Sequence, residues 1–285
     1  MDIKKVLVVG AGQMGKQIAL LSAIHGYETV LYDSFPDALS AAEEWKLNYL
    51  HERTAKGKMT QAVAAQGTDL LTFNETLETA VSGCDLVIEA IVEKEDAKID
   101  LFQRLDHLAP VHTLLTTNSS FIPSSVLAAH TQRPERVANL HFFNPALVME
   151  LVEVVQGEHT ERDTVEALMA FAVSLNKTPI HIKMEIDGFV ANRILKTITK
   201  EALFLVDQGY VTPQEVDIAV EKGLNHPLGP YRLMDMVGID ISYLSREREY
   251  EATKDPKDRA PQFLIDKYNK GELGRKTGKG WYDYN

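Results

Sequence analysis

Two kinds of hydrophobic pattern alternate from residue 4 to about residue 185. Short runs rich in β-branched residues are followed by longer stretches whose apolar positions recur at helical spacing. The short runs predict eight strands: KVLVVGAG, ETVLYD, DLLTF, CDLVIEAI, TLLTTN, RVANLHFF, ELVEVV and KTPIHI. The longer stretches predict helices that begin near Met14, Pro36, Glu75, Lys94, Pro123 and Arg162. This alternation predicts a mostly parallel sheet covered by helices on both faces.

The pattern changes after Asp187-Gly188, where the β-rich runs stop. The later amphipathic stretches, at about 190–208, 212–224, 229–251 and 261–271, all have helical spacing. The sequence therefore predicts an α/β domain with a doubly wound sheet over residues 1–186 and an all-α C-terminal domain over residues 187–285. The apolar positions expected to face the helical core or a subunit interface include Ile194, Leu195, Ile198, Leu203 and Leu205.

Composition narrows the class of protein. The 285 residues are 45% hydrophobic and 25% charged, which is enough for one large or two medium domains with buried cores and excludes a disordered or fibrous chain. The net charge of −11 repels nucleic acid and anionic membranes, so we expect neither as a partner. No apolar run approaches the roughly 20 residues of a membrane-spanning helix, and the apolar start is too short for a signal peptide. With Cys84 as the only cysteine and no zinc-like spacing of histidines, we expect a cytoplasmic protein without a structural metal.

The segment KVLVVGAGQMGKQIAL predicts a nucleotide-binding turn between a strand and a helix. Gly10, Gly12 and Gly15 have the GxGxxG spacing, in which the glycines permit a tight turn, the approach of a pyrophosphate and close helix packing. The helix N-terminus offers free N–H groups to the phosphates. Asp33 ends the second strand, where a carboxylate binds the adenosine ribose and repels the extra phosphate of NADP. These residues predict a Rossmann-type domain that binds NAD, whereas the glycines alone also fit a turn that only packs.

A dehydrogenase needs a group that moves a proton on or off the substrate oxygen, and histidine suits this role. Among nine histidines His141 is the best placed, because its strand ends in aromatic residues and a proline at the edge where doubly wound folds place their sites. Glu153 lies on the next strand and faces away from Val152 and Val154, so it can hydrogen-bond and orient His141. Spacing alone equally allows an ordinary exposed glutamate.

With these residues in view, the chain resembles the NAD-dependent L-3-hydroxyacyl-CoA dehydrogenase family, in particular its short, single-function 3-hydroxybutyryl-CoA type. The resemblance runs from GAGQMG to GRKTGKGWYDY and covers essentially the whole chain. Its most diagnostic segments are VIEAIVEKEDAK, TTNSS, HFFNPALVMELVEVV, DGFVANRIL and HPLGPYRLMDMVGID. It implies reversible oxidation of a short-chain L-3-hydroxyacyl-CoA to the 3-ketoacyl-CoA, and a homodimer formed through the helical domain.

The resemblance also implies the site residues. His141 and Glu153 form the catalytic pair, while Ser120 and Asn192 hydrogen-bond the substrate near its 3-oxygen. Ser120 is preferred to Ser119 because it lies 21 residues before His141 when the family motifs are laid without a gap. The implied cofactor contacts are Gly10, Gly12, Gln13, Met14, Gly15, Asp33, Glu93, Lys98, Ser120, Asn144 and Lys276. Without the resemblance, Ser120 is a helix-cap serine, Asn192 a polar helix residue, and Glu93 and Lys98 a solvated pair.

A CoA ester carries several phosphate charges, so an acidic protein must bind it through a local cationic patch. The second helix is expected to continue into HERTAKGKMT, where Lys56 matches the family's CoA-contacting lysine and Arg53 and Lys58 lie close by. Lysines at a helix end are also explained by compensation of the helix dipole.

The chain departs from the family pattern at three positions. Tyr49 occupies a serine position near Lys56, Leu147 a common proline position, and Asp187 the proline of a Pro-Gly-Phe segment.

Two other functions stay open at this point. One is an NAD-dependent dehydrogenase of a hydroxy acid without CoA, such as a sugar acid or carnitine; the other is a non-catalytic NAD-binding protein.

Overall fold

The computed structural model describes residues 2–284, and the chain divides after Val190 into two compact units. Within the described residues, the first unit contains one eight-stranded sheet, which confirms the predicted strands. The strands are β1 (Lys5–Val9), β2 (Glu28–Tyr32), β3 (Leu71–Asn74), β4 (Leu86–Glu89), β5 (Leu114–Thr117), β6 (Val137–Phe142), β7 (Leu151–Val155) and β8 (Thr178–Ile182).

The strand order is β3-β2-β1-β4-β5-β6-β7-β8. Strands β1 to β6 pair in parallel, β7 pairs antiparallel with β6, and β8 pairs parallel with β7. The direction reverses after β6 because residues 143–150 form a loop, without the crossover helix that a parallel neighbour requires. The carboxyl ends of β1, β2, β4, β5 and β6 therefore meet at one edge of the sheet, which we call the carboxyl edge.

The helices of the first unit start within two residues of the predicted positions, and one further helix appears. They are α1 (Gln13–Ile24), α2 (Pro36–Ala55), α3 (Gln61–Leu70), α4 (Leu77–Ala80), α5 (Glu95–Leu108), α6 (Ser124–Ala128) and α7 (Arg162–Ser174). The expected continuation of α2 into HERTAKGKMT is wrong beyond Ala55. Gly57 adopts φ +64° and reverses the chain, and the Thr60 hydroxyl then accepts the Val63 N–H as the N-cap of α3.

Two apolar layers cover the faces of the sheet. Because side chains alternate along a strand, Val8 of β1 packs on one face with Ile18 of α1, and Leu7 packs on the other with Phe102 of α5. Each such side chain contributes about 1.5–3 kcal/mol when fully buried. Cys84 lies in the second layer, and burial raises the pKa of its thiol to about 12. The only cysteine of the chain is therefore an inert core residue.

The second unit is helical, as the sequence predicts. Its helices are α8 (Ala191–Asp207), α9 (Pro213–Ile218, continued by a π-helical turn at Ala219–Gly223), α10 (Pro230–Val237), α11 (Ile239–Thr253) and α12 (Gln262–Asn269). The stretch 229–251 forms two helices rather than one, because Gly238 adopts φ +119° between them. No helix among residues 2–284 is long and apolar enough to cross a membrane.

The predicted core stripe of α8 is only partly right. Leu203 is buried in the helical core together with Ala202. Ile194 and Leu195 are 57% and 38% exposed, so their assignment to the core is wrong. They lie more than one turn before Ala202 on α8, where the helix adds no fully buried residue to this core.

Candidate active site

The turn after β1 has the conformation that its three glycines predict. Gly10 adopts φ +105°, and a Cβ at this position would lie 2.7 Å from the Ala90 carbonyl oxygen. A Cβ on Gly15 would lie 1.7 Å from the Gly10 carbonyl oxygen, so α1 packs against the turn through bare backbone. A Cβ on Gly12 would meet nothing within 4 Å. The open space at Gly12, beside the N-terminus of α1 at Gln13 and Met14, fits the pyrophosphate of a dinucleotide.

Asp33 follows β2 and faces this turn. Its Oδ2 accepts the N–H of Ala11 at 2.7 Å, and its Oδ1 accepts the N–H of Phe35 at 3.0 Å. The carboxylate is thus held at the carboxyl edge, next to the glycines. Asn144 also lies near α1, because its Oδ1 accepts a hydrogen bond from Gln17 Nε2 at 3.4 Å. These contacts bring the predicted pyrophosphate, ribose and Asn144 positions to one region of the first unit.

A cluster of buried charges follows β4. Lys98 of α5 is 1% exposed, and its Nζ lies 2.6 Å from Glu89 Oε1 and 3.1 Å from Glu93 Oε2. Thr117 of β5 donates its hydroxyl to Glu89 Oε2 at 2.6 Å. The solvated-pair interpretation of Glu93 and Lys98 is therefore wrong for Lys98, whose charge is balanced inside the protein. Sequence reasoning misses Glu89, although a carboxylate that ends an apolar strand is the signal that could have found it.

The loop 118–123 connects β5 to α6, and we call it the serine loop. Ser119 is buried, and its hydroxyl donates to Glu93 and accepts the N–H of Ile122 at 2.8 Å. Ser120 is half-buried, and its hydroxyl has no hydrogen-bond partner within residues 2–284. Ser119 is thus committed to the loop itself, whereas Ser120 is the serine whose hydroxyl is available to a ligand.

His141 and Glu153 are direct cross-strand partners in the antiparallel pair of β6 and β7. The His141 Nδ1 lies 2.8 Å from Glu153 Oε2, and both side chains are buried. The other carboxylate oxygen of Glu153 accepts the N–H of Val190 at 3.0 Å. A carboxylate on Nδ1 keeps the proton on that nitrogen and leaves Nε2 for proton transfer. The alternative of an ordinary exposed glutamate is therefore wrong.

Two phenylalanine rings hold the imidazole of His141 in position. The ring centroid of Phe143 lies 4.6 Å from that of His141, and the centroid of Phe189 lies 5.5 Å away. Phe189 is placed by a turn in which Gly188 and Phe189 have φ of +70° and +49°. This turn contains the family departure at Asp187. Sequence reasoning misses the contacts of Phe189 and Val190, although Asp187-Gly188 marks the turn that makes them.

One face of α2 carries aromatic and cationic side chains. Tyr49 stacks on Trp45 with ring centroids 5.3 Å apart, and the Arg53 guanidinium lies 5.8 Å from the Tyr49 ring. Lys56 is exposed at the end of α2 and pairs with Glu52, and its hydrogen bond lowers the pKa of that carboxyl. The serine position of the family is thus filled here by a ring that packs within its own helix.

The remaining predicted residues have separate surroundings. Leu147 is partly buried and packs against the core layer of the first unit. Asn192 lies in the first turn of α8 in the second unit, where it is half-buried. Lys276 also belongs to the second unit, and its Nζ lies 2.6 Å from Asp240 Oδ1. The roles of Asn192 and Lys276 stay predictions.

Comparison with known families identifies the chain. Residues 5–186 match the 3-hydroxyacyl-CoA dehydrogenase NAD binding domain, and residues 188–284 match the C-terminal domain of the same family. The chain belongs to the 3-hydroxyacyl-CoA dehydrogenase family. The predicted resemblance, the Rossmann-type α/β domain followed by a helical domain, and NAD as the cofactor are thereby confirmed.

Individual relatives agree with this family. A protein of Bacillus subtilis (strain 168) named probable 3-hydroxybutyryl-CoA dehydrogenase is 39% identical, over 100% of this chain and 98% of that protein. The structure of (S)-3-hydroxybutyryl-CoA dehydrogenase PaaH1 from Ralstonia eutropha has a TM-score of 0.91 and 34% identity, with 100% of both chains covered. A diketoreductase structure has a TM-score of 0.90 and 31% identity, also over 100% of both chains. The protein is an NAD-dependent oxidoreductase of this family.

The position of Asp33 predicts which cofactor this dehydrogenase prefers. We expect a higher kcat/KM with NADH than with NADPH, because the carboxylate repels a 2′-phosphate. In Asp33→Ser the ratio of the two values should fall by at least about tenfold, since one hydrogen bond to a charged group contributes about 1.5–3 kcal/mol. Steady-state rates with both cofactors measure the ratio. Asp37→Ser, in the exposed first turn of α2, is the matched control, and an unchanged ratio in Asp33→Ser would contradict the assignment.

Proposed function

We propose that this chain catalyses the reversible, NAD-dependent oxidation of an L-3-hydroxyacyl-CoA to a 3-ketoacyl-CoA. The observation that carries the proposal is the buried His141–Glu153 pair, with 2.8 Å between Nδ1 and Oε2, at the same sheet edge as the glycine turn. Short-chain substrates such as 3-hydroxybutyryl-CoA are proposed because the relatives of similar length carry that name.

The residues of the first unit can perform the proton transfer of this reaction. Bound NAD supplies the hydride acceptor, and NADH the hydride donor. His141 Nε2 takes the proton of the 3-hydroxyl during oxidation and returns it to the 3-oxygen during reduction. Glu153 fixes the tautomer and stabilises the imidazolium that forms. Ser120 donates a hydrogen bond to the 3-oxygen and orients it toward His141.

The cofactor is held by the carboxyl edge of the sheet. The N–H groups at the start of α1, from Gln13 and Met14, bind the pyrophosphate, and Asp33 binds the adenosine ribose. Glu93, Lys98 and Asn144 contact the second ribose and the nicotinamide. Because Glu89 and Glu93 already neutralise Lys98, this lysine acts as a fixed hydrogen-bond donor rather than as a free charge.

The CoA part binds the cationic end of α2. Lys56 and Arg53 meet the phosphates, and Lys58 follows in the exposed turn after α2. The exchange of serine for Tyr49 removes a short hydroxyl from this face and adds an aromatic ring beside Arg53. A purine stacks on such a ring more favourably than on a serine side chain.

The oxidation of L-3-hydroxybutyryl-CoA by NAD tests the proposed function. We expect NADH absorbance to rise with the CoA ester and to stay flat with free L-3-hydroxybutyrate at equal concentration. The free acid lacks the phosphates that α2 binds, so its kcat/KM should be lower by at least about 10²-fold, which corresponds to two ionic hydrogen bonds. Equal rates with both substrates would contradict CoA recognition.

Hydride transfer to or from a substrate without CoA, reducing a ketone or oxidising a hydroxy acid, is the second candidate function. The likeness to a diketoreductase favours it, since that chain is covered over its full length. It predicts turnover of a free diketone or hydroxy acid at a rate comparable to that of the CoA ester. A non-catalytic NAD-binding role is disfavoured by the intact His141–Glu153 hydrogen bond.

The chain is further proposed to form a homodimer through the second unit. The support is a set of large apolar side chains that the folded chain leaves exposed there: Ile194, Leu195, Phe204, Tyr210, Ile218, Leu224, Met236, Val237, Ile241 and Leu244. Sedimentation equilibrium at micromolar concentration should give the mass of two chains, and a monomer would contradict it. The cytoplasmic location predicted from the sequence stays a prediction.

A further inference from the structure

Asn139 is a fully buried polar residue on β6, two positions before His141. Its side-chain oxygen accepts the N–H of Ser124 at 2.8 Å. Its amide nitrogen donates to the carbonyl oxygens of Ile122 at 3.0 Å and Ser119 at 3.3 Å. The whole side chain is thus engaged with backbone groups of the serine loop and of the first residue after it.

The three contacts surround Ser120. They fix the residue immediately before it, the residue two positions after it, and the start of α6. A second tie comes from Asn118, whose Oδ1 accepts the N–H of Phe142 at 2.9 Å. Asn118 belongs to the loop and forms a hydrogen bond to β6, whereas Asn139 belongs to β6 and forms hydrogen bonds to the loop and to Ser124. The serine loop is therefore fastened to β6 at both of its ends.

Asn139 and His141 lie on the same face of β6, because side chains separated by two positions in a strand point the same way. One rigid strand thus carries the histidine of the proposed mechanism and the anchor of the loop that carries Ser120. We propose that Asn139 is a positioning residue that sets the location of Ser120 relative to His141. This inference rests on the proposed function, in which both residues act on the substrate 3-oxygen.

The backbone groups that Asn139 contacts match the hydrogen-bonding groups of an amide side chain. The loop presents two carbonyl acceptors and one N–H donor, and the asparagine side chain supplies donors and an acceptor in matching number. Aspartate keeps the acceptor for Ser124 but loses the donors and places its second oxygen against two carbonyl oxygens. Alanine removes all three bonds, and it leaves these groups to water or without a partner.

Turnover of acetoacetyl-CoA with NADH tests the proposal in Asn139→Ala, Asn139→Asp, Ser120→Ala and the double variants. We expect both Asn139 variants to lower kcat by about 10- to 10²-fold, because a displacement of about 1 Å costs that much. The KM for NADH should change by less than about threefold, since the glycine turn is untouched. In the Ser120→Ala background the Asn139 substitutions should lower kcat by less than about threefold, because the hydroxyl that Asn139 positions is already absent.

Hydrogen exchange of the 118–125 segment supplies a readout that does not depend on activity. Its amides should exchange faster in both Asn139 variants, because alanine removes the acceptor of the Ser124 N–H and both variants lose the hydrogen bonds to the Ser119 and Ile122 carbonyl oxygens. Thr113→Val is the matched control, since it also removes a hydrogen bond of a fully buried side chain, in this case to the Cys84 carbonyl oxygen. Thr113 lies just before the first residue of β5, whereas the serine loop follows the last residue of that strand. The control variant should leave both kcat and the exchange of the 118–125 segment unchanged.

Three results would overturn the inference. One is unchanged kcat in both folded Asn139 variants, and another is an equal loss of kcat with and without the Ser120 hydroxyl. The third is full activity of Ser120→Ala, which leaves Asn139 no serine to position. In all three cases the unmodified protein stays active, whereas failure of the proposed function shows as an unmodified protein without turnover on the CoA ester.

Discussion

Replacement of His141 with alanine lowers kcat for acetoacetyl-CoA reduction by about 10²–10⁴-fold, the usual contribution of one general acid–base group. The imidazole is the titratable group that the fold buries at the carboxyl edge with an orienting carboxylate on Nδ1 and its Nε2 left for the substrate. NADH affinity, measured by fluorescence titration, should change little, because the glycine turn and Asp33 follow β1 and β2, whereas His141 lies on β6.

His112→Ala is the matched control for this substitution. His112 also contacts a carboxylate, Asp85, with 3.1 Å between Nε2 and Oδ1, but it is exposed and precedes β5 at the opposite edge of the sheet. Its variant should retain kcat within about twofold, as expected for a surface position outside the site. Near-normal turnover in His141→Ala would remove this histidine from the mechanism.

Replacement of Glu153 with glutamine lowers kcat by at least about 10²-fold, because loss of the orienting carboxylate of a catalytic histidine costs up to about 10⁴-fold in other enzymes. The amide is nearly isosteric, and its oxygen can still accept the Val190 N–H. The charge that stabilises the imidazolium is lost, however, and the amide can turn its NH₂ group toward Nδ1 and favour the wrong tautomer.

The kcat of Glu153→Gln is compared with that of Glu150→Gln, which neutralises an exposed carboxylate just before the same strand. Thermal unfolding accompanies the kinetics, since removal of one partner from a buried ionic pair also destabilises the fold. A folded Glu153→Gln variant that turns over as fast as Glu150→Gln would show that the carboxylate does not serve the histidine.

Much of the fold can be predicted from the sequence because its signals are local. The apolar runs that form β1, β4 and β5 are short and bounded by turn residues, so each strand is visible in isolation. Helix α3 is missed because its capping residue Thr60 follows a lysine-rich turn that continues the polar pattern of α2. The break at Gly238 is missed because the apolar spacing runs through it, although φ +119° excludes a continuous helix.

The residues of the candidate site likewise divide into those with a local sequence signal and those whose contacts depend on the fold. The glycine turn and Asp33 are predictable, because their roles follow from a strand, a turn and a helix that are contiguous in sequence. The His141–Glu153 contact depends on the antiparallel register of β6 and β7, which alternation alone does not give. Glu89 and Asn139 escape prediction because a single buried polar residue on an apolar strand reveals its partners only after the chain has folded.

The most direct test of the central claim is the kcat of the double variant His141→Ala/Glu153→Gln. If the two residues act as one unit, the double variant should be no slower than His141→Ala alone, within about threefold, because groups that act together are strongly non-additive. If the two losses multiply instead, Glu153 contributes to catalysis without His141, and the pair is not the proton-transfer unit proposed here.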